Sequence, residues 1–374
     1  MLKAKKIRLK PTPEQEVLFW KSAGTSRWAY NYFLSENERI YREYLDNGKV
    51  GVKYIGGGDI RKYINNTLKK TTHKWLAEVG SNVMKQAVKD AEKAYKDWLS
   101  GKRGKPRYKS KRKSKISFYV NYESLTRKDG GFHGEKYSDP HISYDGKYWY
   151  LSVGYPVEKK AIELSGDSFG IDLGIKALAV CSNGKVYKNI NKSARVKKLN
   201  KRLKREQRKL SRMIENNISG YGERRKPIFK RALKECSNIT KQMNEIRLIH
   251  KHIADIRVNH LHQTTSEIVK TKPSRIVMET LNVCGMMKNR HLSTAIAEQG
   301  FFEFKRQIAY KSEFYGIELV EVPMYYPSSK TCSCCGAIKK DLKLSERVYR
   351  CEHCGRKLDR DFNASINLAN YQSA

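Results

Sequence analysis

A chain of 374 residues with 76 Lys and Arg against 38 Asp and Glu carries a formal net charge of +38, which would self-repel in a compact fold unless a polyanion neutralised it. Nucleic acid is the obvious polyanion, and a composition that is 30% charged and 10% aromatic excludes a disordered chain. No run approaches the ~20 apolar residues of a membrane span and the N-terminus lacks a signal-peptide core, so a cytoplasmic protein of about two or three domains, with no membrane contact, is expected.

Leu2 to Leu9 alternates basic and apolar residues and reads as a strand with one charged face. Thr12-Pro13-Glu14-Gln15 follows as a helix start: Thr12 can cap, Pro13 suits the first helical position, and Gln15 stands where a capping box needs it. Phe19, Trp20, Trp28, Tyr30, Phe33 and Leu34 make the segment beyond it an aromatic helix. Gly56-Gly57-Gly58 breaks the chain and helical patterning resumes from Ile60. Val83, Ala87, Ala91, Tyr95 and Trp98 then line one face of a helix starting near Ser81. Residues 102–115 carry nine basic residues and no acid, with Tyr108 among them. Phosphate contact is expected of this run rather than a solvated linker. From Ile116 to Val157 the chain alternates and turns often, at Asp129-Gly130-Gly131 and Asp145-Gly146, as a small antiparallel β-domain does.

Phe169-Gly170-Ile171-Asp172-Leu173-Gly174 is a short apolar strand carrying one acid, and Asn183-Gly184 makes a hairpin turn after the next strand. From Lys188 to Arg257 there are 22 basic and 6 acidic residues. Val196, Leu199, Leu203, Leu210 and Met213 mark one helix, and Ile239, Met243, Ile246, Ile249, Ile253 and Ile256 a second, with Gly220, Gly222 and Pro227 between them. The expected result is a long basic helical hairpin presenting its charges to a backbone. Pro273 to Leu281 is another apolar strand with Glu279 near its end. Ser293 to Tyr315 reads as a helix, Ile317 to Val322 as a strand, and Asn363 to Asn370 as a closing helix. The histidines, His250, His252, His260 and His262 among them, show no ligand spacing and read as helix-surface residues.

Near the C-terminus stand two knuckles, Cys332-x-x-Cys335-Gly336 and Cys351-x-x-Cys354-Gly355, separated by 15 residues. That spacing reads as a four-cysteine zinc ribbon with one structural Zn²⁺. Cys334 makes the register ambiguous, and the glycine after each second cysteine resolves it in favour of Cys332, Cys335, Cys351 and Cys354. Asp172, Glu279 and Asp361 each sit in or beside an apolar element where a lone charge is costly. A strand of a hairpin set, a later strand and a final helix, each with one acid, make the skeleton of a ribonuclease-H-like fold. Acids brought together that way suit two Mg²⁺ ions, which take oxygen ligands and serve phosphodiester hydrolysis by water. No GxxxxGK[ST] loop or Ser-His-Asp set competes.

Gly170-Ile-Asp172-Leu-Gly174, Ile276-Val-Met-Glu279-Thr-Leu281, the Ser328-Ser-Lys-Thr-Cys332 ribbon entry and Asp359-Arg-Asp361-x-Asn363-Ala resemble the TnpB proteins of bacterial transposons. These are compact relatives of the type V CRISPR nucleases. The opening Lys6-Ile-Arg-Leu-Lys-Pro-Thr-Pro-Glu-Gln15 and Lys105-Pro-Arg-Tyr-Lys-Ser-Lys111 extend the likeness over essentially the whole chain. The resemblance implies an RNA-guided DNA endonuclease that takes its guide RNA from its own element and reads a short motif beside a double-stranded target. A multidomain α/β fold goes with it. A β-barrel wedge is expected at 1–10 and 106–165, an inserted helical recognition domain at 11–105, a RuvC-like nuclease domain at 166–327 and 357–374, and the ribbon at 328–356. Asp172, Glu279 and Asp361 would be catalytic Mg²⁺ ligands, and Arg360 and Asn363 second-sphere or phosphate contacts. Ser81, Asn82, Lys85 and Gln86, with Lys102, Arg103, Lys105, Arg107, Lys109 and Arg112, would touch nucleic acid, and the protein would be a monomer in its ribonucleoprotein. An unguided RuvC-like nuclease and a non-cleaving nucleic-acid binder are the rival readings.

Overall fold

A computed structural model of the chain describes residues 2–111, 114–121, 138–158, 162–233, 235–343 and 345–372. Arg112 and the expected turn at Asp129-Gly130-Gly131 lie outside the described residues. The chain divides into two units, Met1–Val157 and Glu158–Ala374.

The first unit opens with β1 (Leu2–Leu9) and the long helix α1 (Pro13–Asp46). The capping box forms as expected: Gln15 N–H donates to Thr12 Oγ1 at 3.3 Å, and Thr12 N–H donates to Gln15 Oε1 at 3.0 Å. After α2 (Gly57–Tyr63) comes a single π-helical turn, and then α3 (Ser81–Leu99). Phe33, Leu34, Ile60, Ile64, Met84, Val88 and Tyr95 close the core of this helical layer. Asn37, fully buried in α1, pins the loop ahead of α2 by donating to the Ile55 carbonyl (3.2 Å) and accepting its N–H (2.9 Å). β2 (Ile116–Tyr119), β3 (Ser138–Tyr144) and β4 (Trp149–Pro156) follow. β4 returns to pair with β1, giving an antiparallel sheet in the order β1-β4-β3-β2. The helices thus fall between the first two strands of this sheet. Among the described residues the β-domain is a four-stranded sheet, and the expectation of a barrel is carried that far.

The second unit is built on five strands. β5 (Ser165–Leu173), β6 (Ala177–Cys181) and β7 (Val186–Lys188) form an antiparallel meander that turns at Gly184, whose φ of 83° suits the tight reversal. α4 (Ala194–Asn216) leads into a small hairpin, β8 (Ile218–Tyr221) and β9 (Pro227–Phe229), and α5 (Ser237–Lys270) returns. Val196, Leu203, Ile249 and Ile253 bury the seam of α4 and α5, as their spacing predicts. The glycines between the helices mark a β-hairpin and not a plain turn. β10 (Pro273–Glu279) then lies parallel to β5 on its free side. After α6 (Val283–Met287), α7 (Ser293–Gln299) and α8 (Phe301–Tyr315), β11 (Glu318–Val322) lies parallel to β10. The single helix expected from Ser293 to Tyr315 is broken at Gly300, where φ is 70°. The sheet order is β11-β10-β5-β6-β7. β12 (Val348–Arg350) and β13 (Lys357–Asp359) carry the cysteine ribbon, and α9 (Arg360–Ala369) ends the fold.

Alternation divides the sheet's two faces. Phe169, Ile171, Ile276 and Met278 enter the core shared with Leu261 and Ile268 of α5 and Phe304 and Ile308 of α8. Val277 packs with Leu368 of α9 on the opposite face. Gly170 belongs to that face too. A Cβ there would collide with the Ser365 carbonyl oxygen and stand 2.5 Å from the Ala369 nitrogen. Helix α9 therefore rests directly on β5 because residue 170 has no side chain. Gly170→Ala is expected to cost about 3 kcal/mol, as overpacking against rigid backbone does. Gly166→Ala in the same strand, with nothing within 4 Å, should be near neutral. Chemical denaturation of the two variants checks this.

Candidate metal centres

The register of β5 on β10 sets Gly170 opposite Val277 and Ile171 opposite Met278. One step further sets Asp172 beside Glu279. Alternation aims both toward the α9 face, away from the apolar core. The third acid comes from α9. Asp359 caps that helix, its Oδ1 accepting from the N–H groups of Asp361 (3.0 Å) and Phe362 (3.1 Å). The carboxylate of Asp359 is thereby tied to the helix end, and Asp361 in the first turn is the acid available to the strands.

The electrostatics tie the three together. Burial, followed by the charges of Glu279 and Asp361, pushes the pKa of Asp172 well above the carboxylate range. Burial raises Glu279 as well, a hydrogen bond from Asp172 offsets part of that rise, and Asp361 adds to it. Both strand acids are thus held above the ordinary carboxylate range by burial and by the charge of neighbouring acids. Arg360 and Arg347 reach Asp361 at 3.1 Å and 3.9 Å. Arg360 is thus an ion-pair partner of the outer acid. Enclosed oxygen donors that repel one another are the donor set a hard divalent cation relieves.

Beside Asp361 lies a cleft of about 650 Å³ bordered by Lys176, Lys188, Lys192 and His260. His260 contacts the Lys188 carbonyl across 3.0 Å, so this histidine belongs to the cleft wall and not to a bare helix surface. Its place was hidden in the sequence because β7 and α5 are distant along the chain.

The four ribbon thiols lie within 4.8 Å of one another, the one such cluster among the described residues. Cys332 to Cys354 and Cys335 to Cys351 are both 3.6 Å, far too long for disulfides. Edges near 3.8 Å follow from a tetrahedron of ~2.3 Å Zn–S bonds, so the set fits zinc. Both knuckles close alike. The Gly336 N–H donates to the Cys332 carbonyl (3.0 Å) and the Gly355 N–H to that of Cys351 (3.1 Å), with φ of 75° and 72°. Cys334 points outside the cluster, as the glycine positions predict.

Asn363 is fully buried, donating to the Thr331 carbonyl (2.7 Å) and accepting from the Ser333 N–H (3.0 Å), so it clamps the first knuckle to α9. Asn367, one turn on and not singled out in the sequence, donates to the carbonyls of Ser328 (2.7 Å) and Thr331 (2.6 Å). The basic run of the first unit has acidic and aromatic neighbours within that unit. Lys105 pairs with Glu38 at 2.7 Å, Arg103 stands 3.7 Å from Asp97, and Lys109 lies over the Tyr30 ring at 3.8 Å. Lys102, Arg103, Lys105 and Arg107 are all exposed, while Lys109 is half-buried. Ser81, Asn82, Lys85 and Gln86 occupy the first turns of α3. Ser81 and Lys85 are exposed, and the Gln86 amide donates to Asp90 at 2.9 Å.

Sheet, cysteine ribbon and terminal helix define a mixed α/β protein. Its sequence is similar to the TnpB-type proteins over most of its length. Residues 1–46 match a family described as "Helix-turn-helix domain", 152–290 "Probable transposase", and 301–368 "Cas12f1-like, TNB domain". Residues 1–46 here form one strand and one unbroken helix. "Putative RNA-guided DNA endonuclease InsQ" of Escherichia coli (strain K12) is 27% identical over 98% of this chain and 91% of its own length. A "CRISPR-associated endodeoxyribonuclease Cas12f1" of Sulfoacidibacillus thermotolerans is 23% identical over 95% and 90%. In fold, the chain resembles the protein in the structure of a Cas12f1–sgRNA–target DNA complex, with a TM-score of 0.56 at 17% identity, over 96% of this chain and 83% of that one.

Cys351→Ser should leave less than one zinc per chain by metal analysis; full occupancy would refute the ligand set. Asp172→Asn should raise the thermal midpoint of the magnesium-free protein. The sign follows from the raised pKa of Asp172: its folded form is favoured below the unfolded pKa, and that advantage is lost as pH rises through the folded value. The gain from the substitution should therefore be larger at pH 7.5 than at pH 4.5, by differential scanning fluorimetry.

Proposed function

We propose that this chain is a transposon-encoded, RNA-guided DNA endonuclease in which Asp172, Glu279 and Asp361 are the cleavage site. The observation that carries the reading is the placement of Asp172 and Glu279 side by side on adjacent parallel strands, with Asp361 acting on both from α9. The sheet order, a meander flanked by two parallel strands, supports a RuvC-type, ribonuclease-H-like assignment for the second unit. The first unit would supply the wedge and helical recognition functions. Ser81, Asn82, Lys85 and Gln86 are proposed at the target-adjacent motif, and Lys102 and Arg107 at a phosphate backbone. The relatives' names and the charge of +38 support guide RNA and target DNA as the partners.

The three carboxylates would hold Mg²⁺, which when bound supplies an activated water and charge relief at the leaving 3′ oxygen. The residues of this chain do the rest. Asp359 and Gly170 fix α9, and so Asp361, against the strands. Arg347 and Arg360 supply positive charge at the outer acid, where a phosphodiester would approach. Lys176, Lys188 and Lys192 line the cleft that would take the strand to be cut. The cysteines would hold one structural Zn²⁺, and Asn363 and Asn367 fasten that ribbon to the helix carrying Asp361.

The test is to express the gene with its flanking DNA, purify the protein in high salt and sequence the RNA that remains. One dominant RNA should be found, and the complex should cut DNA matching its end. Asp172→Ala should lower cutting by at least ~10³-fold, the scale of losing an essential catalytic group, while RNA and DNA binding persist. Cutting without RNA would establish an unguided nuclease, and cutting unchanged in Asp172→Ala would remove these acids from the chemistry.

A further inference from the structure

The β8–β9 hairpin stands at the far end of α4 from the cleft. Ser193, which caps α4, borders that cleft, and 23 helical residues at ~1.5 Å each put the hairpin about 34 Å beyond it. Its turn is built against local preference. Arg224 and Arg225 both adopt left-handed backbone, with φ of 57° and 56°, where a tight hairpin takes Gly or Asn. Hydrogen bonds hold the turn in that shape, Gly222 N–H to the Lys226 carbonyl at 2.9 Å and Arg225 N–H to the Gly222 carbonyl at 3.1 Å. Strain held in place this way sets two consecutive arginines at an exposed tip. Behind them Tyr221 and Pro227 are register partners and so share one face, where Tyr221 is 64% exposed. Glu223 is the one acid of the turn.

We propose that this hairpin is a docking site for an unpaired segment of the bound RNA, with a base stacked on Tyr221 and phosphates held by Arg224, Arg225 and Lys226. An exposed aromatic face beside paired arginines suits splayed-out bases, which RNA loops and bulges present and a duplex does not. The position favours RNA over DNA, because the strand to be cut must reach the acids about 34 Å away at the other end of α4. The proposal rests on the reading that the chain carries a guide RNA.

The test compares the wild-type ribonucleoprotein with Arg224→Asn/Arg225→Gly and with Tyr221→Ala. The first variant relieves the strained turn, so a purely structural role predicts equal or higher thermal stability with unchanged RNA binding. The proposal predicts equal or higher stability together with at least tenfold weaker RNA binding. It also predicts loss of protection of one unpaired RNA segment in hydroxyl-radical footprints, and loss of an ultraviolet crosslink to that segment in Tyr221→Ala. Unchanged RNA affinity and footprint, or a footprint changed on the target DNA alone, would overturn the docking site. Wild-type protein that holds no discrete RNA would instead overturn the guided reading beneath it.

Discussion

Like charges crowded onto one face of a sheet are the constraint around which the second unit is arranged. Asp172 and Glu279 stand side by side because two parallel strands share a register, and Asp361 is added from above by a helix seated on Gly170. Asp172 and Glu279 lower stability where they are, buried beside like charge. Burial and the neighbouring acids raise the affinity of Asp172 for its proton. The fold holds them there through contacts that have no part in the chemistry, namely the Asp359 cap, the missing side chain at 170 and the apolar seam of Val277 and Leu368.

Helix α9 joins the cysteine ribbon to the acids of the sheet. One end follows directly from β13 of the ribbon, whose thiols are spaced for a closed tetrahedral ion, and two asparagines a turn apart bind the first knuckle to the same helix. The other relation is to the sheet, across the acids. Arg347 reaches Asp361 from the ribbon side. Order in the ribbon is therefore order in the third carboxylate, a coupling made of short hydrogen bonds between buried groups, which are costly to leave unmade.

Much of this was legible in the sequence because its signals are local. The capping box at Thr12, the glycines that close each knuckle, the turn at Gly184 and the apolar stripe of α4 and α5 all follow from residues within a few positions of one another. The two strand acids were legible from the cost of burying a charge. What the sequence hid depends on partners far along the chain. Nothing local shows that Lys105 pairs with Glu38, that Lys109 lies over the Tyr30 ring, or that Asn363 accepts from the ribbon backbone. His260 is the converse, a bland helix residue that turns out to border the cleft. The β8–β9 hairpin was hidden for another reason, since left-handed arginines at its tip run against the turn preferences from which a hairpin is read.

The most direct test of three acids acting as one site is a titration with Mn²⁺, a spectroscopically visible stand-in for Mg²⁺, followed by electron paramagnetic resonance. Wild-type protein is compared with Asp172→Asn, Glu279→Gln and Asp361→Asn, each with its ribbon zinc retained. Tight binding in the wild type, displaced by Mg²⁺ and lost in all three variants, is the expected result. Binding that survives in any one of them at wild-type strength would contradict a shared site and remove that acid from it.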